Sequence, residues 1–462
     1  MPIDRTLTAV KAHQVPAWFH DAKLGIFIHW GLYSVPGWAP TTGPLHDVVA
    51  SEGWQGWFRR NPYAEWYMNS LRVPGSVTAE YHNEQFGDKT YASFANDFNA
   101  NLTNWDPSTW AKLFAEAGAK YVVLTTKHHD GFLLWPSHTP NPFIADYHTT
   151  RDLVGDLSDA VRAQGLTMGL YYSGGLDWTF NPHVIADIAD LFKAVPQSAD
   201  YVRYADAHWR ELTERYRPAC MWNDIGYPVG SDIGALFADY YNAVPEGVIN
   251  DRFTQAGPDE VAKISQGMLP KPAHADYRTP EYAVFDTIQP DKWESCRGLG
   301  FSFGYNRNES VNDMLSPVEL IRSFVDIVSK NGNLLINVGP RGDGSIPAEQ
   351  AERLQALGAW LRTNGEAIYA TRPWSRADAV TDGGMAVRFT CTSHTLYATI
   401  FGTPRGRIVI PAIPVADQSV ITLLGHDGAL AWERVGDGVA ITLPTTLADA
   451  AAYSIRITPV TI

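Results

Sequence analysis

Through the first three quarters of the chain, short apolar runs alternate with stretches in which apolar residues recur every three or four positions. The first run, Leu24-Gly25-Ile26-Phe27-Ile28, reads as a buried strand and ends in His29, Trp30 and Gly31. A helix is predicted where Asp106 supplies an N-cap, Pro107 the first turn and Gly118 the stop, with Trp110, Leu113 and Phe114 on its apolar face. The strand from Tyr121 to Thr126 follows and delivers Lys127-His128-His129-Asp130. The alternation then repeats with a helix over 151–163, a strand from Thr167 to Tyr172 that runs into Ser173-Gly174-Gly175, and helices over most of 184–216. Ala219-Cys220-Met221-Trp222 is the next strand, which places Asp224 at its C-terminal end before Gly226 and Pro228 stop it. A helix over 232–242, a strand over 247–252 containing Asn250-Asp251-Arg252, a helix opened by the capping box Ser316-Pro317-Val318-Glu319, a strand from Asn333 to Val338 and a helix over 347–362 complete the series.

Strands alternating with helices over this length predict an α/β fold with parallel strands. A doubly wound open sheet puts its ligand at one switch point, whereas His29, His128, Tyr171, Asp224 and Arg252 come from five separate strand ends. A closed barrel is therefore expected, with its active site where those ends converge. Two stretches lack periodicity. Residues 32–104, which include Glu65 and Trp66, read as a long loop excursion with one short helix, and 253–297 reads as polar loop containing Thr279-Pro280-Glu281-Tyr282. Beyond Asn364-Gly365 the chain changes to short alternating strands near 385–390, 395–400, 407–410 and 451–457, split by Gly, Pro and Asp turns, which predicts a small antiparallel sandwich. It offers no cluster of catalytic residue types, so packing against the barrel is its expected role.

Composition narrows the partners. The 462 residues carry a net charge of -14, and no local run of Lys and Arg offsets it, which argues against nucleic acid or an anionic membrane surface. The 16 Trp, 21 Tyr and 19 Phe often sit beside Gly, Pro or polar residues, and flat aromatic faces suit the C–H faces of sugars. Cys220, Cys296 and Cys391 are too few and too far apart for a disulfide framework or a zinc motif. The N-terminal segment lacks an apolar signal core, so a cytoplasmic location is expected.

Glycosidic bond cleavage needs two carboxyl groups with separated pKa values, and Asp224 on a rigid strand end suits one role. Glu281 and Glu294 are the candidates for the other, and spacing along the chain does not choose between them. Adjacent imidazoles on an extended segment point to opposite sides, so His128 and His129 make a poor joint chelate. A metal site would need one of them with His29 and Asp224, but no HxH or HExxH spacing is present, and neutral His also serves hydroxyl-rich ligands. Neither a metal nor another cofactor is expected. Arg252 pairs either with Asp251 or with a carboxylate or hydroxyl in the site.

Six segments together resemble glycoside hydrolase family 29, the retaining α-L-fucosidases. They are Gly25 to Pro36, Thr125 to Phe132, Tyr171 to Gly175, Trp222-Asn223-Asp224, Asn250-Asp251-Arg252 and Asn333 to Pro340, in the family's order and over nearly the whole chain. The resemblance implies a (β/α)8-like, TIM-type barrel, distorted in that family, followed by a C-terminal antiparallel β-sandwich. The corresponding domains are a catalytic barrel over 1–368 and a sandwich over 369–462. It also implies an exo-acting enzyme that hydrolyses terminal α-L-fucosyl linkages by retaining double displacement, on fucosylated oligosaccharides or glycoconjugates. By position the family's nucleophile falls on Asp224 and its fucose-binding residues on His29, Glu65, Trp66, His128, His129, Tyr171, Arg252 and Phe303. Bacterial members with a Thr-x-Glu-Tyr segment place the acid/base at Glu281, others in Lys292-Trp293-Glu294, and Glu281 is favoured here. A metal-dependent hydrolase and a catalytically silent fucose-binding protein are the alternatives, and the oligomeric state stays open, a homo-oligomer included.

Overall fold

The computed structural model describes residues 2–43, 45–257 and 271–460. Seven strands, β1 (Leu24–Ile28), β2 (Tyr121–Lys127), β3 (Thr167–Tyr172), β4 (Cys220–Asn223), β5 (Val248–Ile249), β6 (Trp293–Gly298) and β7 (Gly332–Val338), form one parallel sheet. Its order is β5-β4-β3-β2-β1-β7-β6, so it curls around β1. Every residue of β1, β2, β4 and β7 is buried, the condition under which a strand must be apolar on both faces.

Helices cover the outside: Pro107–Glu116, Leu153–Ala163, Ala199–Tyr216, Ile233–Ala243, Pro317–Ser329 and Ala348–Asn364. Their starts are fixed by side chains that accept first-turn N–H groups. Asp106 accepts from Ser108, Asp152 from Gly155, Ser198 from Tyr201 and Asp232 from Ala235, while Ser316 and Glu319 close a reciprocal box at 2.8 and 3.2 Å. Each such cap contributes about 1 kcal/mol.

The strands alternate between two apolar regions. Ile26, Ile28, Leu170, Tyr172 and Met221 face the helices. Phe27, Tyr121, Val123, Tyr171, Cys220, Trp222, Cys296 and Leu335 fill the inside of the curl.

Between β5 and β6 the curl is spanned by an extended segment, 276–282, that is not itself a strand. Asn250 bridges to Tyr277, Arg278 to Trp293 and Glu281 to Cys296, all in the parallel sense. The Asp276 N–H donates to the Ile249 carbonyl (2.9 Å), and the Cys296 N–H donates to the Pro280 carbonyl (3.2 Å). Pro280 has no N–H to return, so the ladder breaks there.

Several elements differ from the sequence expectation. The strand over 247–252 shortens to β5. The Ile249 N–H goes to Asp276 Oδ2 (2.8 Å), and the Asn250 side chain, in place of its backbone, pairs with Asn223 at 2.9 and 3.1 Å. Residues 253–297 do not form loop throughout: they end in β6, whose polar Glu294 and Ser295 disguised it, and 258–270 lie outside the described residues. The excursion over 32–104 contains the helices Leu45–Arg59, Tyr67–Ser70, Val77–Phe86 and Phe94–Asn101. No single period marks them, because Gly53 (φ +71°) kinks the first and the others are short pieces that bury only two to four residues each. Within 184–216, two 3₁₀ turns, Ile188–Asp190 and Phe192–Ala194, precede the one long helix.

The C-terminal part contains β8 (Asp378–Val380), β9 (Ala386–Cys391), β10 (Leu396–Phe401), β11 (Arg407–Ile410), β12 (Val415–Leu423), β13 (Trp432–Val435), β14 (Gly438–Thr442) and β15 (Ala452–Val460). They pair as two antiparallel sheets, β12-β15-β10-β9-β8 and β11-β14-β13, around an apolar core of their own that includes Phe389, Ile400, Ile441 and Ile455. Among the described residues no helix is long and apolar enough to cross a membrane.

Candidate active site

Strand alternation builds the site. Phe27 and Trp222 point into the curl, so His29 and Asp224, two residues further on, do as well, beside the inward-facing Tyr171. Glu65 and Trp66 enter from the 3₁₀ turn Ala64–Trp66 and Phe303 from the stretch after β6. A pocket of about 230 Å³ results, lined by His29, Glu65, Trp66, His128, His129, Tyr171, Asp224, Arg252, Glu281 and Phe303. The ten site residues favoured in the sequence meet there, and the alternative acid Glu294 is not among them. The volume lies below the ~300–1,000 Å³ of pockets for drug-sized ligands and suits one sugar ring.

Asp224 accepts hydrogen bonds from three partners. Its Oδ1 accepts from Arg252 Nη1 (2.8 Å) and from the Ile225 N–H (3.0 Å), its Oδ2 accepts from the Tyr171 hydroxyl (3.0 Å), and His129 Nε2 lies 3.8 Å from Oδ2. Burial alone would push this carboxyl upward, but the Arg252 charge and the hydrogen bonds from Arg252 and Tyr171 outweigh it and hold it below its ordinary range. Glu281 shares the same guanidinium, with Oε2 at 3.3 Å from Nη1 and 3.2 Å from Nη2, and its Oε1 accepts from Tyr63 (3.2 Å). Although a third of its side chain is open at the mouth, desolvation by the surrounding protein prevails over Arg252, and the nearby Asp224 charge adds to it, so its carboxyl is raised. The two neighbouring carboxyls are thus shifted in opposite directions, the separation that acid–base work on a single bond requires.

Glu294 does not reach the pocket. It points into the curl like Cys296 but one inward position earlier on β6, and Cys296 already forms part of the pocket wall. Glu294 is instead fully buried, where Tyr121 donates to it at 2.5 Å and Trp222 Nε1 at 3.0 Å. Burial raises it to about 7.

His128 and His129 do not diverge as an extended segment would require. β2 ends at Lys127, and a turn closed by the Gly131 N–H on the His128 carbonyl (3.1 Å) brings both rings to the pocket, with centroids 4.0 Å apart. The hydrogen bonds fix which ring nitrogens carry protons. The Asn337 amide nitrogen donates to the Phe303 carbonyl (2.6 Å), so its Oδ1 faces His29 Nδ1 (2.7 Å), which must be the N–H. Ser173 Oγ donates to the Leu176 carbonyl (2.7 Å) and therefore accepts from His129 Nδ1 (2.6 Å). Burial lowers His29 to about 4 and His129 to about 3, so both are neutral and present Nε2 lone pairs, the acceptors that sugar hydroxyls seek. Glu65, pushed up to about 8 by burial against the Gly304 N–H (2.7 Å) and Ser302 (3.3 Å), is protonated at neutral pH and can donate. Among the described residues no group of three or more His, Cys, Asp or Glu is placed to hold a metal ion.

The family model for alpha-L-fucosidases matches residues 2–366. This chain belongs to the α-L-fucosidase family. Mouse tissue alpha-L-fucosidase, from a family of glycoside hydrolases, is 34% identical to it over 468 residues, spanning 98% of this chain and 94% of that protein. Among solved structures, Thermotoga maritima alpha-fucosidase in complex with fucose is similar at 42% identity and a TM-score of 0.85, over 98% of this chain and 100% of that one. A Thermotoga maritima alpha-L-fucosynthase in complex with alpha-L-Fuc-(1-2)-beta-L-Fuc-N3 reaches 43% and 0.88, over 99% and 100%.

The fucosidase-family pocket also contains residues that were not singled out: Phe27, Tyr63, Leu191, Trp222, Ile225 and Cys296. Phe27 and Trp222 were open to inference, since each stands two positions before a predicted site residue on its strand. Asn337, which orients His29, is an amide inside an apolar strand, a signal of the same kind. Tyr63, Leu191 and Ile225 come from irregular segments and left no trace in the periodicity.

Proposed function

We propose that this protein is an exo-acting α-L-fucosidase that hydrolyses terminal α-L-fucosyl linkages of oligosaccharides or glycoconjugates with retention of configuration. The observation that carries the proposal is the meeting of Asp224 and Glu281 at Arg252 Nη1. Contacts of 2.8 and 3.3 Å to one nitrogen bring Asp224 Oδ1 and Glu281 Oε2 within about 6 Å of each other, near enough for the two carboxyls to flank one glycosidic bond as the closely spaced pair of a retaining glycosidase does.

In the first step Asp224 attacks the anomeric carbon while Glu281 gives its proton to the departing glycosidic oxygen, leaving a covalent fucosyl ester and a Glu281 carboxylate. Oδ1 already accepts two hydrogen bonds and Oδ2 one, which favours Oδ2 for the attack. In the second step Glu281 takes a proton from water, the resulting hydroxide displaces Asp224, and both carboxyls regain their starting states. Neutral His29 and His129 accept from ring hydroxyls, protonated Glu65 donates to one, and the methyl group of a 6-deoxy sugar suits the apolar faces of Phe27 and Phe303. The related Thermotoga maritima alpha-fucosidase in complex with fucose supports this substrate class.

The test is hydrolysis of an aryl α-L-fucoside followed by proton NMR from the first turnovers. α-L-Fucose is expected first, with the β anomer growing in only by mutarotation. Initial release of the β anomer, or no release of fucose, refutes the proposal.

A further inference from the structure

Ile225 holds a backbone conformation that its side chain disfavours. Its φ of +51° lies in the left-handed region, where a β-branched residue is an outlier and where Asn and Gly are tolerated. The conformation serves the backbone, because it aims the Ile225 N–H at Asp224 Oδ1 (3.0 Å) and the Gly226 N–H at the Arg252 carbonyl (3.0 Å). Asn or Gly at 225 would make the same bonds with less strain, so the isoleucine side chain needs a reason of its own.

That reason lies at the pocket rim. His29, Glu65, Trp66, His128, His129, Tyr171 and Phe303 are buried, whereas Tyr63, Leu191, Ile225, Arg252 and Glu281 are partly open and mark the mouth. Tyr63 and Arg252 are both engaged with Glu281, at 3.2 Å each. Leu191 and Ile225 are the aliphatic members of the rim. A general acid stands on the side from which the leaving group departs. An aglycone released past Glu281 crosses this mouth, where these two side chains are the aliphatic surface on offer.

Building on the fucosidase reading above, we infer that Ile225 and Leu191 form a leaving-group wall that selects fucosides whose aglycone presents an apolar face, an aryl ring or the C–H face of a pyranose. The strain at Ile225 is retained for that wall. An aliphatic side chain half covered by an aglycone discriminates by about tenfold.

The test compares p-nitrophenyl α-L-fucoside with α-L-fucosyl fluoride, whose single-atom leaving group does not reach the wall. In Ile225→Asn and in Leu191→Ala, the ratio of kcat/KM on the aryl fucoside to that on the fluoride is expected to fall about tenfold. Ile225→Asn is further expected to keep its Tm at or above that of the unsubstituted protein, because Asn tolerates the left-handed region. A ratio that stays at the unsubstituted value overturns the wall, and so does a loss that is equal on both substrates. Leu191→Ala leaves the Asp224 backbone contacts in place and gives the answer even if the substitution at 225 prevents folding. Failure of the fucosidase reading itself shows separately, since the unsubstituted protein would then hydrolyse neither substrate.

Discussion

Asp224 and Glu281 accept hydrogen bonds from the same nitrogen, Arg252 Nη1, at 2.8 and 3.3 Å. Each carboxyl therefore sees the other through one fixed charge, and removing either leaves the guanidinium in place to hold the survivor. Asp224→Gly is expected to fold with an unchanged circular dichroism spectrum and to lose at least about 10⁴-fold in kcat on an aryl fucoside. A loss below tenfold would show that Asp224 is not the nucleophile.

The two acids should be separable by rescue. In the proposed mechanism Glu281→Gly removes the group that activates water, so a covalent fucosyl intermediate is expected to accumulate and added azide to intercept it. Fucosyl azide of retained configuration is the expected product from Glu281→Gly, detected by NMR. The same product from Glu294→Gly and not from Glu281→Gly would exchange the two assignments.

The proposed mechanism needs Asp224 ionised and Glu281 protonated. kcat/KM should rise with pH through the lowered Asp224 value and fall through the raised Glu281 value, giving a bell between them. Arg252 pulls both carboxyls downward, so its removal lets both rise. Arg252→Met is expected to move both limbs of the bell to higher pH as well as lowering its height. Movement of the profile toward lower pH would mean that Arg252 does not set these charges.

Glu294 makes a contrasting prediction because it is buried away from the pocket. Its carboxyl is raised to about 7 from an ordinary 4.5, so between those values the folded state binds a proton that the unfolded state does not. Stability therefore falls as pH rises through this window, by up to about 3 kcal/mol. Glu294→Gln lacks that penalty. Its Tm, relative to the unsubstituted protein, should improve on going from pH 5 to pH 8, with kcat kept within a few-fold. A Tm difference that is flat with pH would refute this.

How far the sequence revealed the molecule depends on which forces shaped each part. Helix starts were legible because Asp106, Asp232 and Ser316 satisfy N–H groups within three residues of themselves. His29 and Asp224 were legible because alternation along a strand is a local rule. β6 was not, since Glu294 is tolerated inside the curl only through Tyr121 and Trp222, which come from other strands. For the same reason the choice between Glu281 and Glu294 lay beyond the sequence: both follow β5, and only the depth of each against Cys296 distinguishes them. The convergence of His128 and His129 depended on one turn at Gly131, which an extended reading of the segment overlooked. Leu191 and Ile225 reach the rim from backbone that follows no period at all.

Gly175 offers a last prediction, in which shape is separated from dihedral strain. Its N–H donates to the Asp224 carbonyl (3.0 Å), and a Cβ built there would collide with the Ile225 carbonyl. The obstacle is backbone, which cannot rotate aside as a side chain would, so Gly175→Ala must push the Ser173–Leu176 turn away from Asp224 and Ile225. Overpacking of this kind costs about 1–3 kcal/mol. It also displaces the carboxyl whose placement sets the rate, and a shift near 1 Å lowers turnover by about 10²-fold. Gly165 is the control: its φ of +72° makes alanine strained there, but no atom lies within 4 Å of the added methyl. Gly165→Ala should therefore lower Tm while leaving kcat on an aryl fucoside as it was, and Gly175→Ala should lower both. Equal effects of the two substitutions on kcat would mean that the close approach at Gly175 does not position Asp224.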